Sequence, residues 1–409
     1  MRWNLSEVAS AGFRVNSFYH SPWHKFPAHD RHPDDMDTVA LSTSWNVISR
    51  VEGRFQLFQN ELRADKVKVS NLRRLCVNGV PEEKDQQGLR AVVWKVLLGL
   101  LPPEKEEWED VLKKKRAEYR SFCQELIIDP KKDENGEPIE PVRPAGETTS
   151  AESDPANIST ALDVTHEDHP LSLGSDSRWN AYFKDTDVKE QIDRDVMRTH
   201  PDMLFFSGDG EEAARHREDL KRALFIFAKL NPGITYVQGL NEIYAPLYYV
   251  FSKDPDKGAA AHAEADAFFC FILLLGEFRD HFVKQLDNSQ IGIKATIQRF
   301  SQLLKRNDEE LWRHLEYESK VDPQYYSFRW ITLLLTQEFN FADVLRLWDT
   351  LIAAPGSRLD FLLKACVAML MHVRSELLDG DFSKNIKLLQ SFPSIDVIVI
   401  IQAALEMEM

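Results

Sequence analysis

Two polar side chains forty positions apart, Arg198 and Gln238, carry the chemistry that this sequence suggests. A guanidinium is a permanent cation whose planar fork matches phosphate and carboxylate oxygens. A primary amide offers both a donor and an acceptor. Around the first, Gln191-Ile192-Asp193-Arg194-Asp195-Val196-Met197-Arg198-Thr199 reads as a helix with Ile192, Val196 and Thr199 on one face. Arg198 then points away from that face, and Asp195 three residues earlier can hold its guanidinium. An isolated Asp-x-x-Arg is usually an ordinary surface ion pair, common and weak. The same arrangement also suits a cation that must enter a partner's site. Gln238 lies in Tyr236-Val237-Gln238-Gly239-Leu240-Asn241, after the turn Asn231-Pro232-Gly233. Gly239 allows positive φ or a close backbone approach there. A third element, Arg346-Leu347-Trp348-Asp349, sits on an otherwise apolar helix. It reads as a buried tryptophan whose neighbouring Arg346 and Asp349 pair with each other.

Other chemistries fit poorly. The chain has no Gly-x-x-x-x-Gly-Lys-Ser/Thr to cradle a nucleotide of its own. His20, His24, His29 and His32 cluster without a standard zinc spacing, and His166 and His169 lack the His-Glu-x-x-His pattern. No metal site is therefore expected. Cys76, Cys123, Cys270 and Cys366 form no Cys-x-x-Cys unit and read as reduced, mostly buried thiols of a cytoplasmic protein. Asp and Glu outnumber Lys and Arg by 65 to 50, a net charge of −15, which opposes general nucleic-acid binding. The apolar run Ala267 to Gly276 is too short to span a bilayer, so it reads as a buried helix and no integral membrane segment is expected.

The elements that must position these side chains are helices. Of the 409 residues, 43% are hydrophobic, enough for a sizeable core. Leu220, Leu224, Phe227 and Leu230 form one stripe, and Ile243, Leu247 and Phe251 another. Leu101-Pro102-Pro103 should end the helix that begins near Leu89. Further helices are expected at about 260–284, 291–306, 309–319, 323–338, 341–353, 359–378, 383–391 and 395–407. No period-two alternation persists. The fold class is all-α, with an irregular tail over 1–60, helical sequence over 61–409, and a polar, disordered insertion at 129–177 too hydrophilic to offset its ordering entropy.

Taken in order, the three motifs resemble the TBC domain of GTPase-activating proteins for Rab GTPases. Ile192, Asp195 and Arg198 fit Ile-x-x-Asp-x-x-Arg, and Tyr236, Gln238, Gly239 and Asn241 fit Tyr-x-Gln-Gly-Met-Asn with Leu240 in place of Met. Arg346, Trp348 and Asp349 fit Arg-x-Trp-Asp, and Gly79-Val80-Pro81 with Leu89-Arg90 and Trp94 is similar to the family's first segment. The resemblance covers roughly 61–409. It implies an all-helical domain in which Arg198 is an arginine finger and Gln238 a glutamine finger, both acting in trans on a GTP-bound Rab. Supporting roles fall to Asp195, Tyr236, Gly239, Asn241, Trp348 and Asp349, with Arg90 and Trp94 either structural or at the Rab-facing edge. GTP and Mg²⁺ would be carried by the Rab, with no cofactor held by this chain, and the setting would be vesicle traffic with transient recruitment to endomembranes. A non-catalytic Rab-binding scaffold or effector, or a membrane-cargo adaptor, is the alternative.

Overall fold

Sequence stripes become helices throughout the computed structural model, which describes residues 53–81, 88–127, 178–283, 292–354 and 356–408, the side chains of 178–184 excepted. The histidine cluster at 20–32 and the 129–177 stretch, with His166 and His169, lie outside the described residues.

The first half runs α1 (53–63), α2 (Val69–Cys76), α3 (Leu89–Leu98), α4 (Trp108–Leu126), α5 (Arg178–Val196), α6 (Leu204–Ser207), α7 (Glu211–Leu230), α8 (Leu240–Ser252), α9 (Lys257–Ala260) and α10 (Ala263–Leu275). The second runs α11 (Ile293–Asn307), α12 (Glu309–Arg313), a π-helical turn at His314–Glu318, α13 (Gln324–Thr332), α14 (Phe341–Ala353), α15 (Arg358–His372), α16 (Arg374–Leu378), α17 (Phe382–Gln390) and α18 (Val397–Glu406). Among the described residues there is no strand beyond the isolated bridge Lys66–Glu104. Helix α1 runs across position 60 and buries Phe55 and Phe58, so ordered chain begins before the tail's expected end.

Helices α5, α7, α8 and α10 pack side by side, with α3 and α4 against α10. Helices α11, α13 and α18 pack around α15. Helix α14 touches both groups, meeting α2, α3 and α8 on one side and α15 and α18 on the other. One continuous apolar cluster runs from Phe55 to Met407. The run at 267–276 lies largely in buried α10, and no helix of the described residues is long and apolar enough to cross a membrane.

Several boundaries differ from expectation: the helix expected over 260–284 ends at Leu275, the one expected over 359–378 breaks after His372, and three others bear on the site. Helix α3 ends at Leu98, before the prolines, because Gly99 takes a left-handed φ of 89° and Leu100 donates back to the Lys95 carbonyl at 2.9 Å. Helix α5 ends at Val196, leaving Arg198 in the turn that follows. The helix expected over 323–338 stops at Thr332, and Leu334 and Leu335 adopt left-handed φ values of 51° and 61°.

Candidate functional site

Arg198 emerges where α5 runs out of helical hydrogen bonds. Its Nε donates to the Arg194 carbonyl at 3.1 Å, using one of the acceptors that a helix C-terminus leaves open. Its Nη2 meets Asp195 Oδ1 at 2.6 Å. The two partners differ sharply in burial: the Arg198 side chain is 56% exposed and that of Asp195 is 5% exposed. Ile192, Val196 and Thr199 are buried as their spacing requires. A cation beside a helix C-terminus also meets the negative end of the helix dipole. The guanidinium is therefore anchored at its base and open at its tip.

The second loop is bonded directly to this anchor. The Tyr236 hydroxyl donates to Asp195 Oδ2 at 2.9 Å and lies 3.3 Å from Asn241 Oδ1. Asn241 Nδ2 donates to Thr199 Oγ1 at 2.9 Å and lies 3.4 Å from the Asp195 carbonyl. Both oxygens of the buried Asp195 carboxylate thus have donors, as a charge removed from water requires. Burial, then the Asp195 charge, pushes the Tyr236 hydroxyl well above its usual range, so it remains a donor. Between Tyr236 and Asn241 sits Gln238, half-buried, and among the described residues no hydrogen bond claims its amide.

Gly239 is glycine for two reasons. Its φ of 99° is left-handed, and a Cβ there would stand 2.5 Å from Leu333 Cδ2. Leu333 begins the turn that interrupts the expected 323–338 helix. The Trp348 indole N–H donates to the Leu334 carbonyl at 3.2 Å, so the third motif steadies the turn on which the glutamine loop rests. Trp348 and Asp349 are fully buried.

The expected Arg346–Asp349 pair is not what forms. Arg90 grips Asp349 with Nε and Nη2, each at 3.0 Å, while the Trp94 indole N–H and the Val80 amide donate at 2.8 Å. Arg346 instead bonds Thr350 and the Val77 carbonyl and lies over Gly79. Arg90 and Trp94 are buried, which places them in the structure and not at a partner-facing edge.

The Rab-GTPase-TBC domain model matches residues 161–378, more than half of the chain and the part that holds all three motifs. The chain belongs to the TBC-domain family. It is 39% identical over 417 aligned positions to human TBC1 domain family member 13, covering 87% of this chain and 98% of that protein, and the mouse protein gives the same figures. Identity to the GTPase-activating protein gyp1 of Schizosaccharomyces pombe is 30%, over 88% of this chain and 60% of that one. Among solved structures, the Ypt/Rab-GAP domain of Gyp1p superposes with a TM-score of 0.66 at 25% identity, over 87% of this chain and 97% of that one.

Three contributors to this TBC domain's site carry no motif that would have marked them in the sequence. Thr199 receives the Asn241 amide and donates to the Asp195 carbonyl at 3.1 Å. Glu242 accepts from Asn241 at 3.0 Å and lies 3.6 Å from His200 Nε2. Burial raises Glu242 to about 7, with Asp195 adding to the rise and Asn241 and Arg198 opposing it. Burial lowers His200 to about 4. Leu333 is the other, recognisable only through its contact with Gly239. A cleft of ≈ 670 Å³ between α5 and α7, lined in part by Ile127, Lys189, Arg194 and Phe225, contains neither Arg198 nor Gln238. Among the described residues no cluster of His, Cys, Asp or Glu could hold a metal ion.

Proposed function

We propose that this TBC-domain protein is a GTPase-activating protein for a Rab GTPase in vesicle traffic, working in trans through Arg198 and Gln238. The relatives named as GTPase-activating proteins support the general activity, and the family description supports a Rab as partner. The observation that carries the mechanism is the contrast within one ion pair. Asp195 is sealed inside and bonded to Tyr236, while the Arg198 tip is open to a partner.

Transfer of a phosphoryl group to water builds charge on the oxygens around the breaking bond, and catalysis is mostly charge neutralisation and positioning of water. Arg198 would leave Asp195 or turn on it to reach those oxygens. An arginine supplied in this way is worth about 10³–10⁵ in rate, or about 4–7 kcal/mol of barrier. Gln238 would accept from the attacking water through its carbonyl and donate from its amide, orienting the water in line with the γ-phosphate. GTP and Mg²⁺ belong to the Rab, and this chain contributes side chains only. The protein would act from the cytoplasm, meeting endomembranes through its Rab.

Phosphate release from a panel of GTP-loaded Rabs tests this reading. Wild-type protein should accelerate at least one, and Arg198→Ala should lose nearly all of that acceleration. If Arg198→Ala stays within twofold of wild type, the catalytic reading fails. Binding without acceleration would point to a scaffold or effector. A wild-type rate from Gln238→Ala would remove the glutamine from the mechanism.

A further inference from the structure

We infer that Glu242 is a positioning residue for Arg198, pairing with His200 to clamp the turn after the finger onto the head of the helix that follows Gln238. This inference rests on the proposed trans action of Arg198. Three successive cross-links join the two segments. Tyr236 bonds Asp195, three positions before the finger, and Asn241 bonds Thr199, one position after it. Glu242 faces His200, two positions after it. This third link belongs to neither finger motif.

His200 Nε2 is closed off from water without a hydrogen-bond partner, and Glu242 Oε2 stands 3.6 Å from it. The other oxygen, Oε1, accepts from Asn241 Nδ2 at 3.0 Å. A proton on Oε2 would give His200 Nε2 its partner after a shift of about 0.8 Å, the distance to ordinary hydrogen-bond length. His200 also takes a left-handed φ of 42°, which a side chain disfavours, so its surroundings must hold it there. Phe341 meets its ring edge-on at 4.7 Å and Phe206 lies at 5.8 Å. Those rings supply packing. Glu242 supplies the polar contact that ties the turn to α8.

The clamp is made by a neutral acid. Asp195 already sets one buried negative charge beside Arg198, and a second so near is disfavoured. Burial raises the Glu242 carboxyl to about 7, with Asn241 and Arg198 opposing and Asp195 adding. Burial lowers His200 to about 4 against the pull of Asp202, so the imidazole stays neutral. Tyr236 remains a neutral donor, and α14 and α6 present Phe341 and Phe206 to the pair. Ionising Glu242 would add negative charge near the base of the finger and draw the guanidinium inward, away from the partner's phosphates. A misplacement of about 1 Å in a catalytic group can lower the rate about 100-fold, so a clamp on the turn after Arg198 acts on kcat. The Glu242 and His200 side chains are only 10% and 15% exposed, so KM should change little.

The test uses the full chain and a Rab that it activates, each rate divided by that Rab's own hydrolysis at the same pH. Glu242→Leu and His200→Phe should each lower kcat about tenfold, with KM within about twofold of wild type. Combined, they should lose no more than either alone, because a single clamp is lost only once. Glu242→Gln keeps an acceptor for Asn241 and a donor for His200, so it should retain at least about half of the wild-type kcat at pH 6.5. Between pH 6 and 8 the wild-type kcat should fall about fivefold while that of Glu242→Gln stays level. A kcat within twofold of wild type for Glu242→Leu overturns the clamp, as do additive losses in the double variant. A Glu242→Gln profile parallel to that of wild type overturns the neutral acid. Should Glu242→Leu fail to fold, His200→Phe and the Glu242→Gln profile decide. If wild type accelerates no Rab, or Arg198→Ala stays fully active, the finger reading fails and takes the clamp with it. With Arg198→Ala inactive, any of the overturning results removes the clamp alone.

Discussion

The Tyr236 hydroxyl and the Arg198 guanidinium take opposite oxygens of one buried carboxylate, at 2.9 Å and 2.6 Å from Asp195. This places an exposed cation and a buried phenol on the same hinge. It also joins the end of α5 to the loop that carries Gln238, across 41 positions of sequence.

Tyr236→Phe should therefore loosen the finger without removing it. A hydrogen bond to a charged group contributes about 1.5–3 kcal/mol. The variant should lose stability on that scale in urea and lower kcat by about tenfold, with KM changed less. Steady-state phosphate release with an activated Rab checks this. Full wild-type kcat would mean that the Tyr236–Asp195 bond does not position Arg198.

Gly239→Ala should be damaged twice, by its left-handed backbone and by Leu333 Cδ2 at 2.5 Å. The expected result is a lower melting temperature and a large fall in kcat. Adding Leu333→Ala removes the clash but leaves the strain, so it should restore part of the activity and not all of it. No recovery at all would assign the whole defect to φ.

Asp349→Ala should unfold the domain more readily without touching the chemistry directly. It leaves Arg90 buried with its carboxylate gone and strips the Trp94 and Val80 N–H groups of their acceptor. Breaking one partner of a buried pair costs about 3–5 kcal/mol. Denaturant unfolding measures the loss, and a cost below 1 kcal/mol would contradict this account.

Acid should weaken the fold through three histidines held largely out of water, two buried and His200 partly so. His200, His216 and His281 are each lowered from 6.5 to about 4, chiefly by burial. Unfolded, they bind protons more readily, so their contribution is complete above pH 6.5 and is lost as pH falls towards 4. The loss reaches up to about 3 kcal/mol for each. Glu242 has the opposite sign. Its carboxyl is raised from 4.5 to about 7, so its contribution is complete below 4.5 and is lost as pH rises through 7. Urea midpoints across pH 4–8 should fall on acidification below 6.5, and Glu242→Gln should flatten the decline on the alkaline side. A wild-type midpoint that stays level between pH 6.5 and 4.5 would rule out the histidine account.

Much of this was legible along the chain, because helical periodicity is local. Ile192, Val196 and Thr199 share a buried face as their spacing dictates, and the Asp195–Arg198 pair forms over one turn. The apolar stripes of α7 and α8 and the helix at Val397–Glu406 follow from the same 3.6-residue rule. The chain also carried the ordered motifs by which the TBC family is recognised.

Tertiary structure alone decided which partners those residues take. Asp349 has an arginine three positions away and pairs instead with Arg90, 259 positions distant, because α14 is wedged against α2 and α3 and its Asp349 face meets them. Leu333 to Leu335 have the composition of a helix, yet Leu334 and Leu335 turn left-handed where the Trp348 indole takes a carbonyl and Gly239 leaves room for a Leu333 methyl. Local propensity amounts to tenths of a kcal/mol per residue, whereas burying a paired charge or a tryptophan N–H involves several. Where the two disagree, contacts distant in sequence set the geometry, and the seat of Gln238 is such a place.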